Sequence, residues 1–275
     1  LFLFISPLKN KIIWQASSYL EKEDILFYFP KVDVKIIPDG IDVDSFSNSN
    51  KMDKKELLKK YTNKDFKNVS DVVFSMGRLH KIKRFDILIN AYYDSFSDND
   101  DVCLVLKTKL VKPKLSFEVD VRRIISKAQR KFFGKKLPQI EVLTKNIESM
   151  VPLYNSVDAV VSASSSEGFG LPMLEAVAAG KVVIAPNATG HTDFLNSENS
   201  ILYESNQVIA PRSYQYWRPS SDAKTYMPNI DCLSQSMIDL YSNHQEYLDK
   251  FSDNMKNTSK SFTWDSAATK IMELL

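Results

Sequence analysis

The feature that most restricts how this chain can fold begins at Asp71: short apolar runs rich in β-branched residues alternate with longer segments of helical periodicity. Val72–Met76, Val102–Leu106, Ile140–Leu143, Ala159–Ala163, Val182–Ala185 and Ile201–Tyr203 read as strands. Phe85–Phe96, Phe117–Phe133, Ile147–Asn155 and Leu171–Ala179 read as the helices between them, with more helices from about Asp231 onward. Such alternation predicts an α/β fold with a parallel sheet covered on both faces. Right-handed crossovers make that sheet doubly wound and Rossmann-like, and its ligands bind at the carboxyl ends of the strands.

Ahead of this region, residues 11–17 read as a strand and residues 18–28 as a helix capped by Ser17 or Ser18. Residues 33–37 read as a second strand, closed by the turn Pro38-Asp39-Gly40. The Asn/Ser/Lys-rich stretch 45–69 reads as a linker with one helix near Lys54–Tyr61.

Composition narrows the class. At 275 residues the chain holds one large domain or two smaller ones. With 44% hydrophobic and 25% charged residues it has an ordinary soluble profile, and a net charge of +2 singles out no partner. Cys103 and Cys232 are the only cysteines, and no short-spaced Cys/His cluster is present. A disulfide framework or structural zinc site is therefore not expected, and a reducing, cytoplasmic setting fits. No apolar run reaches the roughly 20 residues of a membrane span. Leu1–Ile5 is too short for a signal peptide and lacks a basic lead-in. A leucine at the first position points to a chain that begins partway through a longer one.

Chemistry is concentrated near glycines, of which there are seven. Gly77, Gly168, Gly170 and Gly190 follow strands, where glycine allows tight turns and close approach of a ligand to the backbone. Gly180 reads as a helix C-cap. The strongest segment is Ser166-Glu167-Gly168-Phe169-Gly170-Leu171-Pro172-Met173-Leu174-Glu175-Ala176. Pro172 suits a first helical turn, so the helix N-terminus, with its free N–H groups, faces the sheet edge and favours an anion. Glu167 and Glu175 beside an anion site are reconciled by a ligand that also carries vicinal hydroxyls, for which carboxylates are acceptors. Taken singly, Glu175 is equally a charge that favours the first helical turn, and Glu167 a solvated loop acid. The second segment is Gly77-Arg78-Leu79-His80-Lys81-Ile82-Lys83-Arg84. Arg78 can fork onto phosphate oxygens and Lys83 can add a point charge, as a diphosphate leaving group requires. The alternative is a solvated basic loop, with His80 as polar surface.

The ordered set IIPDGID from Ile36, SMGRLHKIKR, SEGFGLPMLEAVAAGKVVIAP and FTWDSA resembles glycosyltransferase family four, of the GT-B fold, from roughly Lys11 to the C-terminus. The pair Glu167 and Glu175 matches that family's Glu-x7-Glu signature. The resemblance implies a retaining transferase that needs no metal or other cofactor and takes a UDP- or GDP-type sugar as donor. It implies that Arg78 and Lys83 hold the diphosphate and Glu167 the transferred sugar. Backbone amides around Gly168, Phe169, Gly170 and Leu171, with Gly77 nearby, would meet sugar and phosphate. Glu175 would hold the ribose, and the stretch Leu143–Ile147, with Lys145 and Ile147, would hold the base. It also implies three parts: residues 1–38 as the end of an amino-terminal acceptor domain, 39–262 as the carboxyl-terminal nucleotide-sugar domain, and 263–275 as a helix crossing back. The chain departs from the family at Lys107-Thr108-Lys109 and Thr144, where glycine is common, and at Thr189-Gly190-His191-Thr192-Asp193. There a Gly-Gly and a glutamate are usual, and Asp193 is the candidate substitute for the acid.

Two stretches have no role in that resemblance. Residues 107–136 carry eleven Lys/Arg against Glu118 and Asp120. Val121, Ile124, Ile125, Ala128 and Phe132 fall on one helical face, leaving Arg122, Arg123, Lys127, Arg130 and Lys131 outward, as a solvated face or as a docking surface for anionic lipid or a phosphorylated acceptor. Residues 205–229, with Arg212, Tyr214, Tyr216, Trp217, Arg218 and Tyr226, read as an insertion: a lid, an acceptor platform, a subunit contact or a loop packed on its own aromatics. Nucleic acid is not an expected partner, because no nucleic-acid-binding signature accompanies these residues. The expected partners are a nucleotide sugar and a glycan or lipid acceptor. The competing functions are a non-catalytic sugar-nucleotide module and a GT-B epimerase or hydrolase. An oxidoreductase is disfavoured because no G-x-G-x-x-G occurs.

Overall fold

The computed structural model describes residues 2–6, 11–47, 53, 56, 59–60, 71–76, 80–108, 120–211 and 223–274; for residues 2–6, 11–12, 71–74 and 76 the backbone alone is described. The first unit is a three-stranded sheet of β1 (Phe2–Ser6), β2 (Lys11–Ala16) and β3 (Asp33–Ile36). β1 runs antiparallel to β2, and β2 parallel to β3 across helix α1 (Tyr19–Tyr28). Ser18 caps α1, its hydroxyl accepting from the Glu21 N–H at 3.1 Å. The strand β1 was not anticipated, because five consecutive apolar residues carry neither alternation nor a turn signal.

A short helix α2 (Val43–Ser47) leads into the main sheet. Its strands are β4 (Asp71–Met76), β5 (Val102–Lys107), β6 (Gln139–Leu143), β7 (Ala159–Val161), β8 (Val182–Pro186) and β9 (Ile201–Tyr203). All pair in parallel, in the order β6-β5-β4-β7-β8-β9. This is the doubly wound Rossmann-like arrangement, and its strand order reverses between β4 and β7, the crevice where ligands of such sheets bind. β5 and β8 are the buried heart of the sheet, each an almost unbroken run of buried aliphatic side chains. The crossing helices are α3 (Phe85–Ser95), α4 (Val121–Lys131), α5 (Val151–Ser156) and α6 (Leu171–Ala178). α3 packs on α4, and α2 packs on α5 and α6.

Two expected helices differ in extent: the basic helix expected over 117–133 is α4, Val121–Lys131, capped by Asp120, and α5 is shorter at its start. α5 starts at Val151, not at residue 147, because Pro152 fits only the first turn and residues 144–150 stay irregular. The part of the basic helix before residue 120 lies outside the described residues, and so does most of the helix expected near residues 54–61. The insertion at 205–229 is an antiparallel ribbon of β10 (Ser205–Ile209) and β11 (Lys224–Pro228); residues 212–222, with most of its aromatics, lie outside the described residues.

Helices α7 (Ile230–Ser242), α8 (His244–Ser261) and α9 (Trp264–Met272) complete the chain. Between α8 and α9 the backbone is stitched to the linker after β3. The Ile41 N–H donates to the Phe262 carbonyl at 3.0 Å, and Ile41 bridges Thr263. Gly40 is required there, since a Cβ would overlap the backbone of Thr263 and Trp264.

Candidate functional site

Because β4 and β7 are parallel neighbours, the loops that leave their carboxyl ends lie side by side. The first forms a single 3-10 turn, Lys81–Lys83. His80 caps it, its Nδ1 accepting from the Ile82 N–H at 3.2 Å, so this histidine has a structural place that its basic surroundings did not indicate. Arg84 closes the turn at φ 46 and pairs with Asp86 at 2.7 Å. The second loop carries Glu167. Lys83 and Glu167, 84 positions apart, meet at 2.5 Å between Nζ and Oε1, with only 19% and 12% of their side chains exposed. Gly77 and Arg78 lie outside the described residues.

Glu167 is followed by the N-terminus of α6. Gly170 takes the left-handed backbone (φ 99) that starts this helix, with no side chain capping it. Among the described residues no acceptor is found for the N–H groups of Phe169, Gly170 and Leu171, so the helix end is open to an anion. The Phe169 ring turns inward, packing at a tilt on Phe194 and Phe262 with centroids 5.1 and 5.8 Å away; what it offers a ligand is backbone.

Glu175 sits one turn into α6, facing Tyr154 of α5. Burial raises its carboxyl above the ordinary range, and a hydrogen bond with Tyr154 opposes this. The buried Tyr154 hydroxyl shares its one proton between that carboxyl and the Pro172 carbonyl, 2.9 Å away, and burial followed by the nearby carboxylate lifts its phenol well above the usual value. Among the described residues Glu175 Oε2 and Thr108 Oγ1, the latter at the end of β5, are buried with no partner, as are Asn90 Oδ1 and Ser205 Oγ elsewhere. Unsatisfied buried polar atoms are rare in native structures, and two at one rim fit a place where a ligand supplies the missing bonds. Lys145 and Ile147 follow β6 on the same rim, the first exposed and the second packed on the core. They follow the edge strand β6, two strands away from β4 and its Lys83 loop.

The Glu167–Gly170 loop rests on the turn after β8. The Gly190 N–H donates to the Glu167 carbonyl at 3.0 Å, and a Cβ on Gly190 would overlap the Gly168 carbonyl. Thr189 is held at φ 72 and ψ −174, a region that suits glycine, with its hydroxyl 3.3 Å from His191 Nδ1. His191 is fully buried, and its Nε2 lies 2.7 Å from the Pro186 carbonyl. A carbonyl can only accept, so Nε2 carries the proton. Burial, partly offset by the bond to Pro186, lowers the imidazole below its ordinary value and keeps it neutral. Asp193 accepts from the Tyr19 N–H at 2.8 Å and so serves the first turn of α1. Burial raises its carboxyl, and that hydrogen bond opposes the rise.

Sequence reasoning missed the ribbon's part. The Thr225 hydroxyl and the Tyr226 N–H both donate to the Ser165 carbonyl, at 2.8 and 3.0 Å. The Ser165 N–H in turn donates to the Ile82 carbonyl at 2.7 Å. The Arg84 guanidinium also touches the Met227 sulfur. β11 thus clamps the residues that precede Glu167 and Lys83. The only trace of this in the sequence was the serine run 164–166. Among the described residues no cluster of His, Cys, Asp or Glu could hold a metal, and no helix is long and apolar enough to cross a membrane.

Solved structures share this fold. A glycosyltransferase from Rickettsia africae is 19% identical and superposes with a TM-score of 0.69, over 94% of this chain and 62% of its own. The Anabaena protein HepE, solved with UDP and glucose, is 18% identical with a TM-score of 0.69, over 94% and 61%. The carboxyl-terminal domain of the group 1 glycosyl transferase LpcC from Francisella tularensis is 22% identical with a TM-score of 0.58, over 81% of this chain and 97% of its own. The chain thus spans less than two thirds of the first two proteins, and all three likenesses speak to fold. Comparison with curated proteins gave no match. The model of the family described as glycosyl transferases group 1 matches residues 70–211, just over half of the sequence, including both loops of the Lys83–Glu167 pair and the whole of α6. The chain belongs to the group 1 glycosyl transferases.

Proposed function

We propose that this chain is the donor-binding part of a retaining glycosyltransferase. It would move a sugar from a nucleoside-diphosphate sugar to a hydroxyl of a glycan or lipid acceptor, in the cytoplasm and without a metal. The observation that carries the reading is the contact of Lys83 with Glu167 at the strand-order reversal, beside the open N-terminus of α6. A cation, free N–H groups and a carboxylate at one rim suit a ligand that is both a diphosphate and a polyol.

On this reading Lys83 and the N–H groups of Gly170 and Leu171 take the diphosphate, joined by Arg78. As the bond from the sugar's anomeric carbon to the phosphate oxygen breaks, negative charge grows on that oxygen, and the nearby cation stabilises it. The acceptor oxygen bonds to the same carbon from the same face, and its proton passes to the departing phosphate. Glu167 accepts from the sugar's hydroxyls and Glu175 from the ribose, giving Oε2 the partner it lacks. The loop through Lys145 and Ile147 faces the base. HepE was solved with UDP, which supports testing UDP first and GDP second.

Calorimetric titration with UDP, GDP and ADP is the direct test. Binding of one diphosphate, weakened in Lys83→Ala and Glu175→Ala, is expected. Binding of none, or unchanged binding in both variants, overturns the donor-site reading. Turnover with a donor and acceptor should survive chelation of divalent ions and give product of retained anomeric configuration.

A further inference from the structure

We infer that the outer face of α4 is a docking surface for an anionic phospholipid bilayer. Arg122, Arg123, Lys127, Arg130 and Lys131 are all exposed. At about 100° per residue they occupy about half of the helix circumference. Val121 and Ala128 are buried on the opposite side, with Ile124, Ile125 and Phe132 packed against the core. Among the described residues none of the five cations pairs with a carboxylate. Asp120, the nearest acid in sequence, is spent capping the helix, its Oδ1 accepting from the Arg122 N–H at 3.0 Å.

An unneutralised cationic face of this kind repels itself in water and gains from an anionic plane. What favours a bilayer over a nucleic acid is Phe133. It lies just past the end of the helix, two residues after Lys131, and 95% of it is exposed. Phe132 beside it is tucked inward, its ring 6.0 Å from Tyr93. A cationic stripe that ends in one protruding apolar ring matches the headgroup layer and the acyl boundary beneath it. No aromatic is interleaved among the five cations for bases to stack on. The face runs from the donor rim, near Arg122, toward the opposite edge of the sheet at Lys131. None of the five cations belongs to the Lys83–Glu167 pair or to α6, so the test reads vesicle binding separately from the donor site's function.

The experiment is flotation of the chain with vesicles of phosphatidylcholine alone or mixed with phosphatidylglycerol, at low and high salt. Binding to the mixed vesicles only, falling with salt, is expected. Each cation removed by substitution with Gln at 122, 123, 127 or 130 should lower partitioning by about fivefold. Phe133→Ser should lower it while leaving the salt dependence in place. Lys83→Ala should bind vesicles as the native chain does. Removing three exposed lysines of α8 (Lys250, Lys256 and Lys260 to Gln) should change partitioning little, and an equal loss there would overturn the assignment to α4. Equal binding to both vesicle types, or to neither, overturns the proposal. So does binding of a short duplex RNA that the same Gln variants abolish while vesicles are ignored. The replaced side chains are exposed, so thermal melting should be unchanged and loss of binding cannot be ascribed to unfolding.

Discussion

Gly190 lies so tightly against Gly168 that no side chain fits between the turn after β8 and the loop that carries Glu167. The same turn donates its N–H to the Glu167 carbonyl. Gly190→Ala must therefore push the Glu167–Gly170 loop outward. The expected cost is about 1–3 kcal/mol of stability, typical of overpacking. Diphosphate affinity should fall as well, and urea unfolding paired with UDP titration checks both.

Lys83→Met keeps the aliphatic stem but leaves the shielded Glu167 carboxylate without its cation. A charge-assisted contact to the diphosphate is worth about 1.5–3 kcal/mol, roughly tenfold to over a hundredfold in affinity. The loss should appear with UDP or GDP and be nearly absent with the matching nucleoside. Equal loss for both ligands would show that the substitution disturbs the fold and not a phosphate contact.

The raised carboxyl of Glu175 gives a signed pH dependence. Above its unfolded value of about 4.3, the folded state holds a proton that the unfolded chain has released. The stability this group contributes is therefore complete below that value and is lost as pH rises through the higher folded value. Glu175→Gln removes the titration, so its melting temperature relative to the native chain should climb across that window. A constant difference from pH 4 to 7 would contradict the sign. The same variant should bind nucleoside diphosphate more weakly at neutral pH.

Thr225 tests the clamp from the ribbon. Thr225→Val keeps the shape and removes the hydroxyl that serves the Ser165 carbonyl. About 0.5–1.5 kcal/mol of stability should go with that hydrogen bond. Diphosphate binding should weaken through displacement of Ser165 and Ile82, and Thr225→Ser should restore it. A Val variant with native affinity would show that the ribbon does not position these loops.

Much of this was legible in the sequence. Strand–helix alternation predicted the sheet, and Pro172 with the flanking glycines marked the start of α6. The spacing of Glu167 and Glu175 singled out two carboxylates, one in the loop before α6 against Lys83 and one a turn into that helix against Tyr154. Lys83 was legible as a cation on the neighbouring loop, but its direct bond to Glu167 was not, since that depends on the adjacency of β4 and β7. Tyr154 and His191 were invisible as site residues, because one lies on another helix and the other is buried beneath the loop. The ribbon was hidden for a related reason. Its strands are short and polar, and what fixes them is hydrogen bonding to Ser165, about 60 residues away. Val151 as the start of α5 went astray because an apolar residue at 147 mimicked helical spacing while packing from an irregular loop.

The bond from the Tyr19 N–H to Asp193 ties α1 of the small sheet to the turn that supports the Glu167–Gly170 loop. Ser18 sits at the same junction, its hydroxyl within reach of Gly190. One short hinge thus serves two masters: a rearrangement of the 190–193 turn when a ligand arrives would tug on the first turn of α1, and a movement of α1 would be felt at Glu167. The Asp193 carboxylate and the Ser18 side chain together make this junction the place where a displacement of either part would reach the other.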